Sequence, residues 1–221
     1  MAINLEKSVE QVKIVLEKIH FDRPINVAVV VDVSASMMSE FATGKVQELL
    51  ERLLAIGINM DKSQEVDVFT FGNYAVYAGA INRDNREDFI RTSSAFEYQG
   101  GTMYSSAIKS VIEHVSPQTL IEEVPKKGFF NKLLNRTEQV VTHTGNQDPT
   151  VVFFVTDGET FDHSLTESLI RKAADAPIFW QFIGIGNERF RFLEKLDELS
   201  GRTVDNANFF SAGDITTLSD S

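Results

Sequence analysis

Asp32, Ser34 and Ser36 alternate with small residues in the segment Val29-Val30-Val31-Asp32-Val33-Ser34-Ala35-Ser36. Thr102 follows the glycine pair Gly100-Gly101, and Asp157 stands in Thr156-Asp157-Gly158. In a tight loop alternate side chains turn to one side, so Asp32, Ser34 and Ser36 can offer three oxygens to one point. Gly100 and Gly101 let the backbone before Thr102 approach closely. All five donors are hard oxygens, and no His or Cys lies in these segments. Hard oxygens suit Mg²⁺, Mn²⁺ or Ca²⁺ and disfavour zinc. Two carboxylates among hydroxyls, with water completing the shell, make an Mg²⁺-like set. Taken singly, each residue fits a plainer role, because Asp, Ser and Thr in strand-to-helix loops are common helix N-caps. Capping does not require Asp-x-Ser-x-Ser, Gly-Gly-Thr and Thr-Asp-Gly together, each at the same rim.

Strands must bring these residues to one place. Asn26 to Val31 and Thr150 to Val155 are apolar runs without polar alternation. Strands buried on both faces of a parallel sheet have that pattern. The first run ends at Asp32 and the second at Thr156-Asp157. Ligands of open α/β sheets bind beyond the carboxyl ends of the strands, where strand order reverses. If the two strands are neighbours, their carboxylates converge.

Other segments complete the pattern. Residues 5–19 read as an amphipathic helix with Val9, Val12, Leu16 and Ile19 on one stripe. Helices are expected at about 40–56, 84–91, 103–115, 164–175 and 188–199. Further strands are expected at Glu65 to Phe71, Tyr74 to Ala80, Ile178 to Ile185 and Thr203 to Phe210. Only Gly72-Asn73 separates the first two of these, which predicts a tight hairpin and therefore one antiparallel strand. The alternation predicts an α/β fold: a central, mostly parallel six-stranded sheet with one antiparallel edge strand and helices on both faces. Residues 117–149 show no clear strand and read as an insertion into one domain spanning 1–221. Within it, Lys126 to Leu134 mixes basic and apolar residues, read as a loop that tucks Phe130 and Leu133 against the domain, with a membrane-surface or partner-binding helix as the alternative.

Composition narrows the partners. The chain has 221 residues, 43% of them hydrophobic, which suffices for a full core. A formal net charge of −11 opposes nucleic-acid binding, which calls for a basic surface. There are no cysteines, so disulfides, thiolate metal sites and cysteine catalysis are excluded. The first twenty residues carry Glu6, Lys7, Glu10, Lys13, Glu17 and Lys18, unlike a signal peptide, and no run reaches the ~18 apolar residues of a membrane span. A cytoplasmic protein without membrane association is expected. The four histidines lie apart without ligand spacing, and no Gly-x-Ser-x-Gly surrounds Ser34 or Ser36, so neither serine has a nucleophile elbow.

The set Asp32-Val33-Ser34-Ala35-Ser36 with Thr102 and Asp157 resembles the metal-ion-dependent adhesion site of von Willebrand factor A-type (vWA) domains. A narrower resemblance lies in Pro177 to Gly186, Phe192 to Asp197 and Val204 to Phe210. These stretches are similar to the vWA domain of bacterial tellurium-resistance proteins of the TerF type, and the similarity covers most of 22–215. The resemblance implies a vWA (Rossmann-like) three-layer sandwich. It implies a metal held directly by Ser34, Ser36 and Thr102, with Asp32 and Asp157 often acting through water. It also implies a non-enzymatic, metal-dependent interaction module in a bacterial or phage stress or tellurium-resistance system, with a protein partner supplying an Asp or Glu to the metal. The alternative is a Mg²⁺-dependent phosphohydrolase of the haloacid-dehalogenase type, with Asp32 as nucleophile. That chemistry needs a carboxyl two residues later, where this sequence has Ser34.

Overall fold

β1 (Asn26–Asp32) is apolar because both of its faces are covered. Val27, Val29 and Val31 point into one buried cluster, while Ala28 and Val30 point into the other. A computed structural model describes residues 4–18, 23–115, 119–125, 127, 137–143, 148–186 and 188–213.

Six strands form the main sheet: β1, β2 (Val66–Phe71), β3 (Ala75–Ile81), β6 (Thr150–Thr156), β7 (Ile178–Ile185) and β8 (Ala207–Gly213), in the order β3-β2-β1-β6-β7-β8. All pairings are parallel except β2 with β3, so the one antiparallel strand sits at an edge, as expected. The chain leaves β1 toward β2 and later returns on the other side as β6. The switch in strand order therefore lies between β1 and β6, whose registers pair Val31 with Val155. Asp32 and Thr156 come next on each strand, side by side at the sheet's carboxyl end.

Helices flank the sheet. α1 (Leu5–Lys18) packs on α3 (Lys45–Met60) over one face. Leu5 of α1 is buried, Val9 and Val12 pack against that core, and Asn59 Nδ2 donates to Val9 O at 2.9 Å. Leu16 lines a cavity beside them, and Ile19 lies outside the described residues. The other face carries α5 (Tyr104–Val115), α6 (His163–Lys172) and α7 (Arg191–Asp197) around Trp180, Phe154 and Phe182.

Several expectations are corrected. The helix expected at 40–56 is broken. A 3-10 turn at Ala35–Met37 and α2 (Met38–Ala42) precede Gly44, whose φ of +78° stops one helix before α3 begins. The hairpin loop has three residues, because Gly72 N donates to Tyr74 O and pairing resumes at Phe71 with Ala75. The helix read at 84–91 is the short α4 (Phe89–Thr92), and the last strand starts at Ala207 rather than Thr203. The largest correction concerns 117–149, which holds two strands. β4 (Thr119–Pro125) and β5 (Thr137–His143) form a separate antiparallel ribbon, in register from Thr119 with His143 to Pro125 with Thr137. Most of the Lys126 to Leu134 stretch, Phe130 and Leu133 included, lies outside the described residues.

Candidate metal centre

β1 delivers Asp32 fully buried to the sheet's carboxyl end. One of its oxygens, Oδ1, accepts the Ser34 N–H at 2.8 Å, an Asx-type closure that curls the loop back on itself. The other, Oδ2, accepts the Thr156 hydroxyl at 2.6 Å from the neighbouring strand. The curl sets the Ser34 and Ser36 hydroxyls 3.1 Å apart, and Ser36 donates to Asp157 Oδ1 at 2.7 Å. Four of the five residues singled out by sequence thus form one hydrogen-bonded network, running from buried Asp32 to exposed Ser36.

Thr102 reaches this rim through its backbone. Gln99 N donates to Val33 O at 3.1 Å, between Asp32 and Ser34, and Met103 N donates to Gly72 O at 2.8 Å. The strap passes close to the hairpin loop. A Cβ on Gly101, at φ +76°, would lie 2.3 Å from Asn73 Oδ1, so only glycine fits there. Thr102 itself is buried, and its carbonyl lies 2.6 Å from the Thr160 hydroxyl.

Sequence reasoning missed the residues that hold these five. Thr160 also contacts Asp162 Oδ1, and Asp162 Oδ2 accepts the Ser105 N–H at 2.9 Å in the first turn of α5. Asp162 thereby caps a helix from another element, although it stands at the N-cap position of α6, to which its side chain makes no cap bond. Tyr104 donates to Gly158 O at 2.5 Å, fastening the turn after Asp157. Thr156 stood in view within Thr156-Asp157-Gly158, but only the strand pairing shows that its hydroxyl serves Asp32.

The electrostatics are those of uncompensated acids. Burial pushes the Asp32 carboxyl from 3.8 up to about 6, outweighing its hydrogen bonds from Ser34 and Thr156, and the Asp157 charge adds to the rise. Burial likewise raises Asp157, against the Ser36 hydrogen bond; the charges bearing on it most, Glu40 and Glu188, are negative. Among the described residues no three His, Cys, Asp or Glu gather as a metal site, so any ion here relies on hydroxyls beside the two carboxylates.

The sequence model described as the vWA found in TerF C terminus matches residues 24–221. The chain belongs to the vWA-TerF-like family. This vWA-type fold is that of a family of protein-interaction modules that are generally non-enzymatic. Among curated proteins it is similar to YcbR of Bacillus subtilis (strain 168), at 29% identity over 219 residues, covering 99% of this chain and 80% of that one. Two solved structures share the fold. Proximal thread matrix protein 1 from the mussel byssus has a TM-score of 0.58 at 15% identity, with 88% of this chain aligned to 44% of that one. The ArnB paralog VWA2 from Sulfolobus acidocaldarius has a TM-score of 0.50 at 14% identity, covering 89% of this chain and 43% of that one. The vWA chain described here thus spans less than half the length of either. Among the described residues no helix is long and apolar enough to cross a membrane.

Proposed function

We propose that this vWA chain is a metal-dependent protein-interaction module whose ion is completed by an Asp or Glu of a partner. The observation that carries the reading is the network Ser34–Ser36–Asp157 beside buried Asp32, at the switch point of the sheet. Ser34, Ser36, Thr102, Asp32 and Asp157 would hold the ion, with Mg²⁺ the best fit and Mn²⁺ or Ca²⁺ as substitutes. Three hydroxyls and two carboxylates fill at most five positions, while Mg²⁺ takes six. One position at least remains for an outside oxygen, and a carboxylate there adds charge balance as well as a ligand. The family's tie to TerF supports a setting in bacterial tellurium resistance or a related stress response.

Ser36 keeps lone pairs for a cation while its O–H points at Asp157, so the hydrogen bond and the coordination are compatible. Phosphoryl transfer is disfavoured because Ser34, two residues after Asp32, can neither hold nor return a proton as a carboxyl does. The test is titration of chelator-treated protein with Mn²⁺, followed by partner binding in Mg²⁺ and in chelator. One ion per chain, weakened by Ser34→Ala and Thr102→Ala in folded protein, supports the reading. Partner affinity unchanged in chelator refutes it.

A further inference from the structure

The loops around the candidate ion carry unusual exposed side chains. Of the ten large apolar residues exposed among the described residues, four stand at this pole: Met38, Tyr74, Tyr98 and Phe161. Met38 opens α2, two residues after Ser36. Tyr98 precedes Gln99, whose Oε1 accepts the Tyr74 N–H at 3.2 Å, so both tyrosines border the strap that ends in Thr102. Phe161 is 85% exposed and sits between Thr160 and Asp162, the pair that holds Thr102 and α5. Apolar groups held out on such a well-fastened frame mark a contact surface rather than a core.

Charge at the same pole says what the contact is. One divalent cation neutralises Asp32 and Asp157 and leaves Glu40 and Glu188, whose charges reach Asp157. Lys45 offsets Glu40 in part, at 3.2 Å. A partner carboxylate brings one more negative charge. An acidic run would therefore be repelled, whereas lysine or arginine beside the metal-binding carboxylate is attracted, and can also stack on the exposed aromatic rings.

Resting on the reading proposed above, we infer that the partner segment carries its carboxylate between basic and apolar side chains, which meet Glu40, Glu188 and the exposed ring of Met38, Tyr74, Tyr98 and Phe161. The test selects displayed random peptides with a fixed central Asp on the full chain in Mg²⁺, with elution by chelator. The expected winners carry Lys or Arg and an aromatic or aliphatic residue close to the Asp. Their synthetic versions lose binding on Asp→Asn, and lose about tenfold on Phe161→Ala or on Glu40→Gln with Glu188→Gln. Both variants bear exposed or half-buried substitutions; unchanged melting and one Mn²⁺ bound per chain show that fold and ion site survive, even where the loss of the Glu40 and Glu188 charges lowers Mn²⁺ affinity. Chelator-sensitive winners with acidic flanks, or binding indifferent to both variants, overturn the inference and leave the metal reading intact. Bound peptides that chelator fails to elute, and that leave only on acid elution, overturn the metal reading, and this inference with it.

Discussion

Ser36 donates its hydroxyl proton to Asp157 at 2.7 Å, joining two loops that lie 121 positions apart in the chain. That bond is the shortest statement of how the site is assembled: the β1 loop and the β6 loop meet at one oxygen pair. A cation held at this junction, as proposed, would bind the folded chain and not the unfolded one. At one hundred times its dissociation constant it would add ~2.7 kcal/mol of stability. Melting temperature is expected to rise with Mg²⁺ and Mn²⁺ in wild type and to stay flat in Asp157→Ala; an equal rise in that variant removes Asp157 from the site.

Without a cation, Asp32 should make stability depend on pH. Its carboxyl titrates at 3.8 when unfolded and at about 6 when folded, because burial disfavours its charge. The folded state thus holds the proton more tightly. Asp32's contribution is most favourable below 3.8, declines as pH rises through about 6, and stays low above it. The penalty at neutral pH is on the order of 3 kcal/mol. Chemical denaturation in chelator is expected to show this decline in wild type and a smaller one in Asp32→Asn, where Asp157 alone remains raised. Added Mg²⁺ should stabilise more at about pH 7.5 than at about pH 5, because protons compete with the ion.

Thr160 is expected to act on the ion site without touching the ion. Its hydroxyl lies 2.6 Å from Thr102 O and also contacts Asp162. Thr160→Val keeps the shape and removes the hydroxyl, costing about 1–3 kcal/mol for the acceptors left in a buried place. Mn²⁺ affinity should fall with it, and Thr160→Ser should restore both. A valine variant with wild-type Mn²⁺ affinity would show that Thr102 needs no such support.

Two glycines in the same region separate packing from backbone freedom. A Cβ on Gly184 would meet the Phe190 ring at 2.5 Å, whereas one on Gly158 meets nothing within 4 Å. Gly184→Ala is expected to lose about 1–3 kcal/mol by overpacking, and Gly158→Ala to melt close to wild type. Thermal melts of the two variants side by side check this.

Legibility in the sequence followed the number of constraints on each residue. Val27 to Val31 had to be apolar on both faces, so the run announced a central strand and its end announced Asp32. Asp157 followed by the same logic from β6. The break at Gly44 was invisible because the apolar spacing of 40–56 continues across it. The β4–β5 ribbon was missed because Glu122 and Glu123 interrupt any apolar period, and its strands exist through pairing with each other. Thr160 and Asp162 drew no reading at all, since no sequence pattern reveals that one helix is capped from a distant loop.

The ribbon's attachment has a practical consequence. α5 starts at Tyr104, next to the strap that ends in Thr102, and runs against the strand direction, so Val115 ends at the opposite pole, where β6 begins at Thr150. Val115 and Asp148, the described residues on either side of the segment that holds the β4–β5 ribbon, belong to that pole. A reporter joined at Val115 or Asp148 would therefore sit at the end of the sheet away from Asp32 and Ser36 and leave that crevice clear.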